Sequence, residues 1–170
     1  MTGMEEPWLR GPIPGIDPMV APLFMSFQMA REDLARHTHN LTFQQLWKEW
    51  DGIGSVGFQL RHIQGSVDRL STYLEGRLLT DRQMTFLAQE SDPGPVLTDL
   101  LVGIDQALAR CEQIVRGLGA GELQEPRFVG RKKLPTTVIG LVVHIAEHTQ
   151  RHVGQAIVTA KFARTTQLAS

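Results

Sequence analysis

The sequence predicts an all-α protein, a bundle of four long helices. Three observations carry this. Apolar residues recur at three- and four-residue spacing through four long stretches, glycines and prolines punctuate the chain between them, and no segment sustains the alternation of a half-buried strand. The chain has 170 residues, 42% of them hydrophobic and 21% charged, enough to bury one core. A single domain over 1–170 is expected, with an irregular segment at 1–18.

Pro7, Pro12, Pro14 and Pro18 keep the first segment out of a regular helix, and Trp8 and Ile13 are expected to pin it to the body. The first long helix is expected over 19–38, with Leu23, Phe27, Ala30 and Leu34 on one face and Asp17 as its cap. Thr42 caps a short turn carrying Leu46, Trp47 and Trp50, and Asp51-Gly52 breaks the chain. The second long helix, 54–74, has the stripe Val56, Leu60, Ile63, Val67, Leu70 and Leu74, and Gly76 stops it. Thr80 caps a short helix reaching Leu87.

Pro93-Gly94-Pro95 precedes the third long helix, which uses Leu97, Leu101, Ile104, Leu108, Cys111 and Val115 and runs to about 118. From 119 to 134 a loop is expected, long enough to act as a lid. Its Lys132 and Lys133 suit an anionic substrate, although adjacent loop lysines are usually solvated. The last long helix is expected from about Thr136, just after Pro135, to about Phe162.

The net charge of −1 gives no long-range attraction to nucleic acid or to an anionic membrane. No apolar run approaches the ~18 residues that cross a bilayer. The N-terminal stretch carries Glu5, Glu6 and prolines where a secretory signal needs an apolar core. Cys111 is the one cysteine, which rules out an intramolecular disulfide and favours a reducing compartment. A soluble, cytoplasmic protein is expected. Bundles of this size often dimerise, so a homodimer is an open option, but the sequence displays no unmistakable interface.

Half of the six histidines, His144, His148 and His152, fall at four-residue steps in the last helix. Residues four apart stack on one helix face, so each adjacent pair can share a metal ion. All three cannot, because His144 and His152 start about 12 Å apart along the axis. The stripe Val138, Leu141, Ile145, Ala156 and Thr159 faces the core, and His148 and His152 lie within about 20° of its centre at roughly 100° per residue. His144 lies at one edge, with Gln155 and Arg151. Two imidazoles on an apolar face are costly unless both nitrogens of each are engaged, and a metal plus a hydrogen-bond acceptor would engage them. The competing reading is that of hydrogen-bonded core histidines. His37 and His39 suit the polar end of the first helix. His62, on the margin of its helix's stripe beside Gln59, Ser66 and Tyr73, sits at a seam from which it can reach a neighbour.

The segments Ser55–Leu70 and His144–Gln155 closely resemble the DinB-like (DinB/YfiT) superfamily of metal-binding four-helix bundles, and Pro135-Thr136-Thr137 before the last helix adds to the likeness. The resemblance spans roughly the second to fourth long helices. It implies that a divalent metal is held by one histidine of the second helix and two of the last, which match His62, His148 and His152. It also implies thiol-dependent S-transfer, maleylpyruvate isomerisation or hydrolase-like chemistry; many members have no assigned substrate. Iron-dependent enzymes of ergothioneine biosynthesis begin with related domains, but the second catalytic domain is lacking here, so that activity is not expected.

Three imidazoles leave an open position, as in catalytic sites, for a water or a substrate thiol. The expected cofactor is zinc or nickel, with iron close behind. The expected partner is a small molecule, a low-molecular-weight thiol foremost, and the reaction S-transfer or hydrolysis. The alternative is a bundle that binds or senses a metal or small ligand without turnover. No side chain is assigned as catalytic. Glu147 lies opposite the histidine pair and is not taken as a base. His144 and Gln155 are candidates for contacts near the metal or substrate, and Arg69 and Arg151 are expected in surface salt bridges.

Overall fold

The computed structural model describes residues 5–165; residues 1–4 of the irregular N-terminal segment lie outside that range. Six α-helices are found among the described residues: α1 (Ala21–Thr38), α2 (Phe43–Trp47), α3 (Val56–Leu74), α4 (Asp81–Ala88), α5 (Leu97–Arg116) and α6 (Val138–Thr165). The four long ones, α1, α3, α5 and α6, form the bundle. α6 packs along both α1 and α3, and α3 packs in turn along α5.

Leu23, Phe27, Ala30 and Leu34 of α1, Leu60, Ile63 and Val67 of α3, Ile104 and Leu108 of α5, and Ile145 and Ala156 of α6 are all buried. Each set repeats at helical spacing, so every long helix turns one apolar stripe inward. Pro7 is buried and Ile13 packs on the core, while Trp8 is exposed; the N-terminal segment is pinned without its tryptophan. Asp17 accepts from the Met19 N–H at 2.8 Å in a turn just ahead of α1, which itself has no side-chain cap.

Local signals set most of the boundaries. Thr42 and Thr80 each form a capping box, with Gln45 and Gln83 respectively. Ser55 accepts from the Phe58 N–H at 3.0 Å and starts α3. Gly57 lets the Trp47 indole lie against α3: a Cβ there would come 2.6 Å from the ring. Gly76, at φ 72°, ends the turn after α3. α5 stops at Gly117, short of Gly119.

The segment after α5 is not an open loop. A 3₁₀ turn (Ala120–Gln124) leads to an antiparallel hairpin of β1 (Pro126–Val129) and β2 (Leu134–Thr137). Gly130 and Lys133 adopt positive φ to close it. Thr136 and Thr137 therefore belong to a strand, and α6 begins at Val138, two residues later than the sequence suggests. Two tethers place the hairpin: Arg127 Nε donates to the Leu74 carbonyl at 2.8 Å, and Val138 N–H donates to the Glu125 carbonyl at 3.0 Å. Leu74 lies about 18 Å along α3 from His62, at 1.5 Å per residue. The hairpin thus lies at the Leu74 end of α3 and the Val138 end of α6, about 15 Å or more along either helix from His62, His148 and His152, and does not lie over them as a lid. No helix among the described residues is long and apolar enough to cross a membrane.

Candidate metal centre

α3 and α6 run side by side, and their facing seams bring three imidazoles together. The ring centroids of His62 and His152 are 4.3 Å apart, those of His62 and His148 5.2 Å, and those of His148 and His152 4.6 Å. Each residue offers one nitrogen such that all three lie within 4.8 Å of one another. The three are half-buried.

Two of the rings are oriented by their neighbours. His62 Nδ1 lies 2.7 Å from Glu90 Oε2, and His152 Nδ1 lies 2.7 Å from Gln59 Oε1. A carboxylate and an amide oxygen only accept, so each Nδ1 carries a proton and Nε2 is the nitrogen left to meet a metal. That is the tautomer a metal-binding imidazole needs. Neither nitrogen of His148 is hydrogen-bonded among the described residues, and its Nδ1 is sealed from solvent. A buried polar atom without a partner costs about 1–3 kcal/mol, so the cluster as it stands is unsatisfied at His148. Three imidazoles, one with a sealed and unpartnered nitrogen, fit a divalent cation of the borderline class.

Burial, and then the neighbouring His62, push His148 and His152 down to about 4. Both rings are therefore neutral at physiological pH, the state in which imidazole binds metal.

Glu90 was not singled out by the sequence, and its partner Arg69 was expected in a surface salt bridge. Glu90 is buried on the short segment after α4, and its Oε1 accepts from Arg69 Nη1 at 2.6 Å. Arg69 is thus not at the helix surface; it is 8% exposed, the buried counter-ion of the carboxylate that holds His62. Charged side chains are buried when paired, and the partner here comes from another element. Gly65, one turn beyond His62, is what admits this carboxylate: a Cβ there would fall 2.3 Å from Glu90 Oε1.

The remaining histidines lie outside the cluster or on its rim. His144 is exposed, with its ring 5.3 Å from that of His148 and its Nδ1 2.7 Å from Glu147 Oε1. Glu147 also pairs with Arg151 at 2.6 Å, and both are exposed. Gln155 is exposed. His37 and His39 belong to no group of three metal-capable side chains among the described residues; their backbone carbonyls accept from Arg164. On the α3 side Phe58 stacks on His62 at 5.6 Å. Lys132 and Lys133 are exposed at the hairpin tip. Cys111 is fully buried, and burial pushes its thiol up to about 11, so it packs and does not react.

A family model described as the DinB superfamily matches residues 26–156, from α1 well into α6. No curated protein matches. The match covers most of the chain, and the chain belongs to the DinB superfamily.

Proposed function

We propose that this DinB-superfamily protein holds a divalent metal ion on His62, His148 and His152 and is a metal-dependent enzyme acting on a small molecule, with a low-molecular-weight thiol or water as the nucleophile. The observation that carries the reading is the convergence of three half-buried imidazole nitrogens from two helices within 4.8 Å. Imidazole donors suit zinc, nickel, iron and copper alike, and of these zinc or nickel is the preferred reading, with iron next.

When bound, such an ion supplies a Lewis acid that lowers the pKa of a coordinated water or thiol toward neutrality. The chain's own contribution is orientation. Glu90 and Gln59 fix the His62 and His152 rings with Nε2 left to meet a metal. Three protein donors are one fewer than a closed tetrahedral site requires, which leaves a position for substrate. Phe58 offers an apolar wall and His144 a polar one at the rim. A cytoplasmic setting goes with this reading, supported by the thiol character of the proposed chemistry and the single buried cysteine.

Metal analysis of protein purified without a polyhistidine tag tests the first half. About one equivalent is expected for a mononuclear site. Less than about a tenth of an equivalent, with a melting temperature indifferent to chelator, would remove the metal. Conjugation assays with several cellular thiols and generic electrophiles test the second half. A fully loaded protein that turns over none of them, and hydrolyses no ester or amide, is a binder or sensor and not the enzyme proposed.

A further inference from the structure

A cleft of about 460 Å³ lies between α3, α4 and α5, of a size ordinary for small-molecule sites. Its α3 wall starts at Gln64 and Gly65, just beyond His62, and the Glu90 carboxylate lies beside Gly65 with its other oxygen on His62. Four arginines line it: Arg69, Arg77, Arg82 and Arg110.

Their partners are unevenly distributed. Asp68, the acidic side chain of the lining, has both oxygens occupied, by Arg110 Nη1 and by Gln83 Nε2, each at 2.7 Å. Glu75 takes Arg110 Nη2 at 2.9 Å and also pairs with Arg77. Arg69 uses only Nη1, on Glu90. Its other nitrogens have no hydrogen-bond partner among the described residues, yet none is sealed from solvent. Arg82 is exposed and has no ion pair among the described residues. Four guanidiniums thus face three carboxylates: Arg82 has none, and Arg69, the most buried of the four, keeps donors beyond its one bond to Glu90, as the more exposed Arg77 and Arg110 also do. A buried guanidinium with most of its donors open to a cavity matches the planar, multi-oxygen geometry of carboxylate or phosphate.

We propose that this cleft binds a small anion through a carboxylate or phosphate group, with Arg69 as the inner anchor and Arg82 as the outer one. None of the three histidines lines the cleft, so the site stands whether or not the metal reading does.

Calorimetric titration of the full chain at low salt, with inorganic phosphate and separately with succinate, tests it. Saturable binding of at least one probe is expected, and which one binds identifies the headgroup. Arg82→Ala should weaken it roughly tenfold or more, the scale of one lost charge-assisted hydrogen bond. Arg69→Met should abolish it. Since that variant strands Glu90 in a buried place and can fail to fold, Arg82→Ala, at an exposed and unpaired side chain, decides. His148→Ala should bind the anion like the parent. Heats that never saturate with either probe, an Arg82→Ala protein that binds as the parent does, or loss of binding in His148→Ala would each overturn the proposal; the last would place the anion at the histidines.

Discussion

His62 Nδ1 and Glu90 Oε2 lie 2.7 Å apart, joining an imidazole of α3 to a carboxylate 28 positions later in the chain. Glu90 is 3% exposed, and its second oxygen is held by Arg69. A carboxyl oxygen that accepts from Nδ1 in that place makes His62 a better electron-pair donor and locks its ring. Glu90→Gln should weaken metal binding about 10–100-fold. It also leaves Arg69 without its charge partner and should cost about 3 kcal/mol in stability. Competition with a chelator of known affinity measures the first and urea unfolding the second. A variant with parental metal affinity would show that Glu90 serves the fold alone.

Removing a ring tests the register directly. His62→Ala, His148→Ala and His152→Ala should each lose most of the metal, and with it the stabilisation that a bound ion gives the folded state. His144→Ala should keep it, because His144 is exposed and hydrogen-bonded to Glu147 on the outer face. Metal content by elemental analysis reads the outcome. Loss from His144→Ala equal to the others would move the site by one turn of α6.

The α6 pair was legible in the sequence because the four-residue step and the apolar stripe use the same period, so His148 and His152 mark themselves as inward-facing. His62 was legible as a seam residue. Glu90 was not: it follows α4 between Gln89 and Ser91, where no periodicity says which side chain turns inward. Arg69 was misplaced for the same reason, since a charged residue looks like surface until its partner is known. The β1–β2 hairpin escaped because its strands are four residues long, each contains a proline, and Phe128 and Leu134 are exposed; alternation needs a longer run to declare itself.

The metal-free protein should lose stability in mild acid. His148 and His152 stand at about 4 when folded against an ordinary value of 6.5, mainly because burial disfavours the charged ring. Between those values the unfolded chain binds more protons than the folded one, so stability rises with pH there. It is complete above about pH 6.5 and is progressively lost as the pH falls to about 4. Urea melts of apoprotein across this window, compared with His148→Gln/His152→Gln, measure the effect. A slope that the double variant leaves unchanged would assign the acid sensitivity to other groups.

Gly65→Ala probes the packing that makes the site. An added Cβ would fall 2.3 Å from Glu90 Oε1, and 2.7 Å from both Arg69 Nη1 and a Phe86 ring carbon. In a helix interior the same change would ordinarily stabilise by about 0.5–1 kcal/mol, through the glycine's lost chain entropy. Here the methyl group must displace the carboxylate or spread α3 from α4, and overpacking of this kind costs about 1–3 kcal/mol. The two effects have opposite signs, so the measured sign is informative. We expect net destabilisation together with weaker metal binding, because Glu90 cannot move away from Gly65 and still hold His62. An alanine variant as stable as the parent and fully loaded with metal would mean that the carboxylate has another route to the ring.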